Sequence, residues 1–239
     1  MQYRAKRAII MAAGKGTRMS PITEVTPKPL VAVHGTPMIE NIINALHKNN
    51  INKIYVVVGY MKEKFKYLTE KYPDITLIEN PYYDKCNNIS SLYVVKDYLE
   101  DCMILDGDQV IYNPNILSPE FEKSGYACVY QTELTKEWLL TMEKDRVSHC
   151  SRNGGKNGWR LCSVSYWNRQ DGKQLQKDVT VEFEEKQNRQ IYWDDIALFC
   201  HPKNYNLGIK KISPQDIIEI DSLKELSEID ASYKKYIKE

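Results

Sequence analysis

Ala8-Ile9-Ile10-Met11-Ala12-Ala13-Gly14-Lys15-Gly16-Thr17-Arg18-Met19-Ser20-Pro21, followed closely by Thr26-Pro27-Lys28-Pro29-Leu30, decides how the rest of the chain is read. Its first six residues are apolar without alternation, as in a strand buried on both faces of a sheet. That strand enters a loop with two glycines, whose missing Cβ atoms let backbone N–H groups approach a phosphate closely. Arg18 and Lys28 add two permanent cations, and Pro27 and Pro29 stiffen the backbone that carries Lys28. The stretch is not a GxxxxGK[ST] loop, because no Lys-Ser/Thr pair follows the second glycine at the required place.

Outward from this stretch the periodicity alternates. Thr36-Pro37 predicts a helix start, with Pro at the first helical position and Met38, Ile42 and Leu46 along one side. Strands are expected over 53–59, 75–79 and 102–105, and helices over 62–72 and 88–99. Strand alternating with helix indicates an α/β fold, Rossmann-like, with a mixed, mostly parallel sheet and helices on both faces. The second half reads differently. Strands over 126–133, 146–151 and 160–167 are separated by Gly-, Asn- and Lys-rich turns, with a loop at 154–158. A helix over 173–185 follows, and a closing helix over 222–236 has Ser222 as its N-cap. No repeat and no long linker interrupts the chain, so a single domain over 1–239 with a β-rich insertion is expected.

Composition narrows the function. The chain has 239 residues, and 33 Lys and Arg against 32 Asp and Glu leave a net charge of +1. That balance excludes a nucleic-acid binder working by bulk phosphate neutralisation, but not a small anion held by a few local cations. No apolar run approaches the ~18 residues of a membrane span, and the basic start followed by Ile9-Ile10-Met11 lacks a cleavage site. The expectation is cytoplasmic, without membrane insertion. The six cysteines form no CxxC pair and no zinc-type spacing, so they read as reduced, packed thiols.

A second constellation is Asp106-Gly107-Asp108 after one strand, with Glu219-Ile220-Asp221 closing a strand at 216–220. Carboxylates at strand ends lie beside the ligand crevice of an open α/β sheet, and hard oxygens from two strands suit Mg²⁺. Asp108 and Asp221 are the expected metal ligands, whereas Asp106 reads as a turn or N-cap residue beside the nucleotide. The aromatic residues Trp138, Trp159, Tyr166-Trp167 and Tyr192-Trp193, with Asp194-Asp195 beside them, are partly core. Such rings also hold quaternary ammonium groups by cation–π attraction, with Asp194 or Asp195 as countercharge.

AAGKGTRM-x-P-x-T-x3-TPKPL resembles the signature of nucleotidyltransferases that activate sugar and alcohol phosphates, the nucleotide-diphospho-sugar transferase type. The resemblance implies that Ala12, Ala13, Gly14, Lys15, Gly16, Thr17 and Arg18 surround the nucleotide phosphates and that Lys28 bridges nucleotide and acceptor. It also matches Asp108 and Asp221 to the family's metal-binding aspartates. Lys28, Arg18 and Asp108 are then the catalytic set, and no histidine is needed, since an alkyl phosphate is mostly dianionic above a second pKa of about 6.

Asn87-Asn88-Ile89-Ser90-Ser91-Leu92-Tyr93, Glu137-Trp138, Val164-Ser165-Tyr166-Trp167, Tyr192-Trp193-Asp194 and Glu219-Ile220-Asp221-Ser222 resemble bacterial CTP:phosphocholine cytidylyltransferases over nearly the whole chain. By that likeness Trp138, Tyr192, Trp193 and Asp194 line the acceptor pocket, and Asn88 and Ser91 lie near the base or ribose. Residues 1–112 then form the nucleotide-binding half, and 113–239 the acceptor-binding half with the closing helix. Trp159-Arg160 departs from the pattern. Arg160 is expected to hold a phosphonate, because relatives of this subfamily activate 2-aminoethylphosphonate. The implied partners are CTP and a small amino-alcohol phosphate or phosphonate. The alternatives are a sugar-1-phosphate uridylyl- or thymidylyltransferase and a non-catalytic nucleotide-binding regulator. The basic end, Tyr233 to Glu239, leaves open a junction with a further enzyme domain.

Overall fold

β1 (Arg7–Ala12) is the centre of the molecule because every residue after Arg7 is buried. A computed structural model describes residues 2–237. Around β1 lie α1 (Met38–Lys48), β2 (Ile54–Val58), α2 (Tyr67–Lys71), β3 (Ile75–Glu79), α3 (Ile89–Val94), β4 (Cys102–Asp106) and β5 (Gln109–Ile111). The second half supplies β6 (Gly125–Gln131), β7 (Leu139–Glu143), β8 (Arg146–Ser151), β9 (Gly158–Trp167), α4 (Arg169–Thr180), β10 (Gly208–Lys211), β11 (Ile217–Glu219) and α5 (Leu223–Ile229).

The main sheet has nine strands, in the order β8-β7-β9-β4-β1-β2-β3, with β6 pairing both β9 and β10. β3, β2, β1 and β4 are mutually parallel, and β9 joins β4 antiparallel. Continuous apolar runs make these strands two-faced. Ala8, Ile10 and Ala12 meet Ile39, Ile42, Ile43 and Leu46 of α1 on one side. Ile9 and Met11 meet Ile89 and Leu92 of α3, and Leu175 and Val179 of α4, on the other. Strand order reverses between β1 and β4, and a ligand crevice opens at the carboxyl ends of strands at such a switch point.

Several boundaries differ from the periodicity. Pro37 is the N-cap of α1 and not its first residue, so the helix begins one place later than expected, because Thr36–Pro37 pairs with Ala32–Val33 as a short strand. The helix expected over 62–72 breaks into a 3₁₀ turn, Lys62–Phe65, and α2, a break that seats Phe65 and Leu68 against the core. The helix expected over 88–99 ends at Val94, where β-branched Val94-Val95 is followed by a 3₁₀ turn, Lys96–Tyr98. α4 starts a turn earlier than expected, at Arg169, because Asn168 caps it, and it runs into a π-helical turn, Val181–Glu185. The closing helix stops at Ile229 and continues as a 3₁₀ stretch, Ala231–Tyr236; residues 238 and 239 of the basic end lie outside the described residues. Among the described residues no helix is long and apolar enough to cross a membrane.

Candidate active site

A cleft of about 470 Å³ lies where β1 and β4 end. Its floor begins with Met11, Ala12 and Ala13 as β1 leaves the sheet, and Gly14, Gly16 and Arg18 form one wall. Gly16 has φ +62, and a Cβ there would come 2.7 Å from Lys28 Cβ, so the loop lies directly against the lysine stem. The Thr23 hydroxyl donates to the Gly16 carbonyl at 2.9 Å and holds that turn closed.

Lys28 stands in the 3₁₀ turn Lys28–Leu30 and is only 7% exposed. Its Nζ donates to Asp108 Oδ2 at 2.6 Å and to Asp221 Oδ1 at 2.8 Å. Arg18 Nη2 reaches the same Asp221 oxygen at 2.8 Å. Burial alone would depress the Lys28 pKa, but the two carboxylates outweigh it and hold the ammonium above the ordinary lysine value. Burial likewise disfavours the Asp221 anion, yet Lys28 and Arg18 bring its pKa below the usual aspartate value.

Pairing of β5 with β11 brings the distant acids together. Glu219 lies opposite Gln109, and Ile220 donates its backbone N–H to the Asp108 carbonyl at 3.1 Å, so Asp108 and Asp221 become neighbours. Val110 and Ile220, next to these acids in the chain, are buried with Met19, Val31, Met38 and Leu226 in one apolar cluster. The Glu225 side chain accepts from the backbone N–H groups of Asp221 and Ser222, both at 2.8 Å, so the cap of α5 also fixes Asp221. Oxygens of Asp108, Glu219 and Asp221 lie within 4.8 Å of one another. Asp108 Oδ1 is buried without a donor among the described residues. An all-oxygen set with an unsatisfied carboxylate oxygen fits a hard divalent cation. Burial, reinforced by Asp108, raises the Glu219 and Asp106 carboxyls well above their ordinary values, a cost that a cation would relieve.

The far wall is assembled from the second half. Trp138 and Tyr192 line it with their rings edge-on, centroids 5.7 Å apart, and Glu137, Leu161 and Ser163 complete it. Asp194 Oδ1 is buried with no donor among the described residues, and burial together with Asp195 raises its pKa well above the ordinary value. Asp195 is engaged elsewhere. It accepts from Arg152 through Oδ1 and from the Tyr192 backbone N–H at 2.9 Å through Oδ2. Asn88 and Ser91 line the cleft from α3's start, and Asn88 accepts from the Trp193 backbone N–H at 2.8 Å.

Fourteen of the expected residues thus share the cleft: Ala12, Ala13, Gly14, Gly16, Arg18, Lys28, Asn88, Ser91, Asp106, Asp108, Trp138, Tyr192, Asp194 and Asp221. Four do not line it. Lys15 and Thr17 are exposed on the loop without lining the cleft. Trp193 is 1% exposed and packs against Tyr126 and Trp167, because its neighbours in the turn take the cleft side. Arg160 pairs with Val129 and shares with Cys162 the face of β9 opposite to Leu161 and Ser163. Asp106 is the end of β4, beside Asp108, and not a cap. The cleft also holds Glu219, Glu137 and Ser163, for which the sequence suggests no role; Glu219 has a signal in its place two residues before Asp221 on an alternating strand, and Glu137 one in its place beside Trp138.

Residues 8–163 match the family model of the MobA-like NTP transferase domain. The chain is 40% identical over 228 residues to 2-aminoethylphosphonate cytidylyltransferase of Lancefieldella rimae, covering 95% of this chain and 92% of that one. It is 33% identical over 228 residues to choline-phosphate cytidylyltransferase of Streptococcus pneumoniae, covering 95% and 98%. The solved structure of CTP:phosphocholine cytidylyltransferase from Streptococcus pneumoniae superposes with a TM-score of 0.88 at 33% identity, over 97% of this chain and all of that one. These relatives are matched over nearly their whole length, so neither carries the further enzyme domain that the basic end left open.

Proposed function

We propose, because the chain belongs to the MobA-like NTP transferase family as one of its cytidylyltransferases, that it transfers CMP from CTP to a small alkyl phosphate or phosphonate bearing a primary ammonium group. Asp194 carries the choice of headgroup. Asp194 lines the acceptor end of the cleft, and a primary ammonium brings three N–H donors to a carboxylate where a trimethylammonium brings none. Burial disfavours the Asp194 anion, and an arriving cation reverses that preference. The 40% identity to a 2-aminoethylphosphonate enzyme supports the same choice. The cytidylyltransferase relatives favour this reaction over sugar-1-phosphate activation, and the convergence of Arg18, Lys28, Asp108 and Asp221 favours catalysis over mere nucleotide sensing.

The reaction needs two polyanions brought together in line. An acceptor oxygen attacks the α-phosphorus, the bond from that phosphorus to the bridging oxygen breaks, and pyrophosphate leaves with the electron pair. The loop from Ala12 to Arg18 receives the phosphates, Asn88, Ser91 and Asp106 flank the nucleoside, and the Lys28 ammonium offsets charge between nucleotide and acceptor. Asp108, Glu219 and Asp221 would hold Mg²⁺, which supplies further charge neutralisation at phosphate oxygens. Residues 1–239 act as one catalytic unit, and six free thiols support a reducing, cytoplasmic setting.

Pyrophosphate release with CTP and Mg²⁺ tests the reading. Turnover is expected with 2-aminoethylphosphonate and phosphoethanolamine, lower kcat/KM with phosphocholine, and loss of turnover with EDTA. A preference for phosphocholine overturns the headgroup assignment. Turnover confined to UTP and a sugar phosphate overturns the reaction.

A further inference from the structure

Resting on that reading, we propose that Arg152 is a positioning residue that braces the acceptor pocket and confines it to primary ammonium headgroups. Arg152 follows β8 directly and reaches across to the segment that carries Tyr192 and Asp194. Its guanidinium donates to Asp195, which is 2% exposed, and lies 3.9 Å from the ring centroid of Phe199 and 5.6 Å from that of Trp138. Trp138 in turn meets Phe199 edge-on at 5.5 Å and Tyr192 edge-on at 5.7 Å. One side chain therefore ties Trp138, Phe199 and, through Asp195, the Tyr192 backbone into a single wall.

Two consequences bear on the acceptor. Arg152 neutralises Asp195, so Asp194 is the carboxylate of this pair left for an incoming cation. The guanidinium also lies over the rings of Phe199, behind the wall, and of Trp138, which lines the cleft, so part of the ring surface that a trimethylammonium would need already has its cation. A primary ammonium depends on hydrogen bonds to a carboxylate and needs less of that surface.

Steady-state kinetics of Arg152→Met against both acceptors test this. The acceptor KM should rise roughly 10- to 100-fold while the KM for CTP stays within about twofold, as expected when one substrate's wall is displaced. The ratio of kcat/KM for 2-aminoethylphosphonate over phosphocholine should fall about tenfold as ring surface is freed. Arg152→Lys, which keeps the charge without the flat stack, should recover the acceptor KM more fully than the ratio. Should Arg152→Met not fold, Arg152→Met with Asp195→Asn removes the stranded buried charge and answers to the same criteria. An unchanged acceptor KM and ratio, or equal rises in both KM values, overturns the proposal. If the wild type uses no ammonium acceptor, the functional reading fails separately. Amide exchange then judges the brace, and unchanged protection of residues 192–200 in Arg152→Met overturns it.

Discussion

Asp194 and Asp195 share a side chain and a peptide bond, yet the fold gives them different partners. Asp195 is spent on Arg152 and the Tyr192 backbone, whereas Asp194 lines the cleft with no Lys or Arg paired to it among the described residues. Burial first, then Asp195, holds the Asp194 pKa well above the ordinary 3.8, with Tyr126 partly opposing. The folded protein therefore takes up a proton more readily than the unfolded chain. The site's stability is greatest below pH 3.8 and declines as pH rises from there through the elevated folded pKa. Asp194→Asn removes that penalty. At neutral pH the variant should be more stable by on the order of 1–3 kcal/mol, a few degrees in thermal midpoint, and should lose acceptor binding. The advantage should shrink on acidification, and melting curves across pH check it; a midpoint difference that does not depend on pH would contradict the assignment. The sequence made both aspartates candidates, because the choice between them is made by Arg152, forty-odd residues away and carrying no motif.

Elements, not single residues, set the positions of the acids. β5 and β11 are short strands whose pairing brings together carboxylates more than a hundred residues apart, and buried Val110 and Ile220 anchor them. α4 shows the same dependence on close packing. Gly172 lies inside its first turns, where Ala ordinarily stabilises a helix by about 1 kcal/mol. Here a Cβ would lie 2.0 Å from the Leu99 carbonyl oxygen, so the helix meets the end of the α3 segment backbone to backbone. Gly172→Ala should therefore destabilise the protein by about 1–3 kcal/mol, measured by urea unfolding, whereas an unchanged or higher midpoint would refute the contact. The sequence revealed α4's apolar stripe but not its first turn, because Asn168-Arg169-Gln170-Asp171-Gly172 is polar and the Asn168 cap exists only once Asp171 donates to it.

The whole molecule interleaves the two halves of the chain. β9, from the second half, pairs with β4 from the first, and β11 pairs with β5. Residues 1–112 alone would leave β4 with an exposed edge and β5 unpaired, so that fragment should not fold cooperatively. The full chain should melt in one calorimetric transition, and two separable transitions would refute the coupling. The order of residues was enough to establish the buried strand, the glycine loop, the two cations and the strand-terminal aspartates. Apolar runs and loop chemistry are local, and periodicity writes them directly into the chain. The tertiary structure decided the rest: Glu219 joins the acidic cluster of Asp108 and Asp221, Trp193 goes to the core, Arg160 turns away, and Arg152 braces the pocket wall. Those outcomes depend on strand register and on which side of a turn each residue takes. Both are settled by pairing with residues remote in sequence, where a shift of one position exchanges cleft for core.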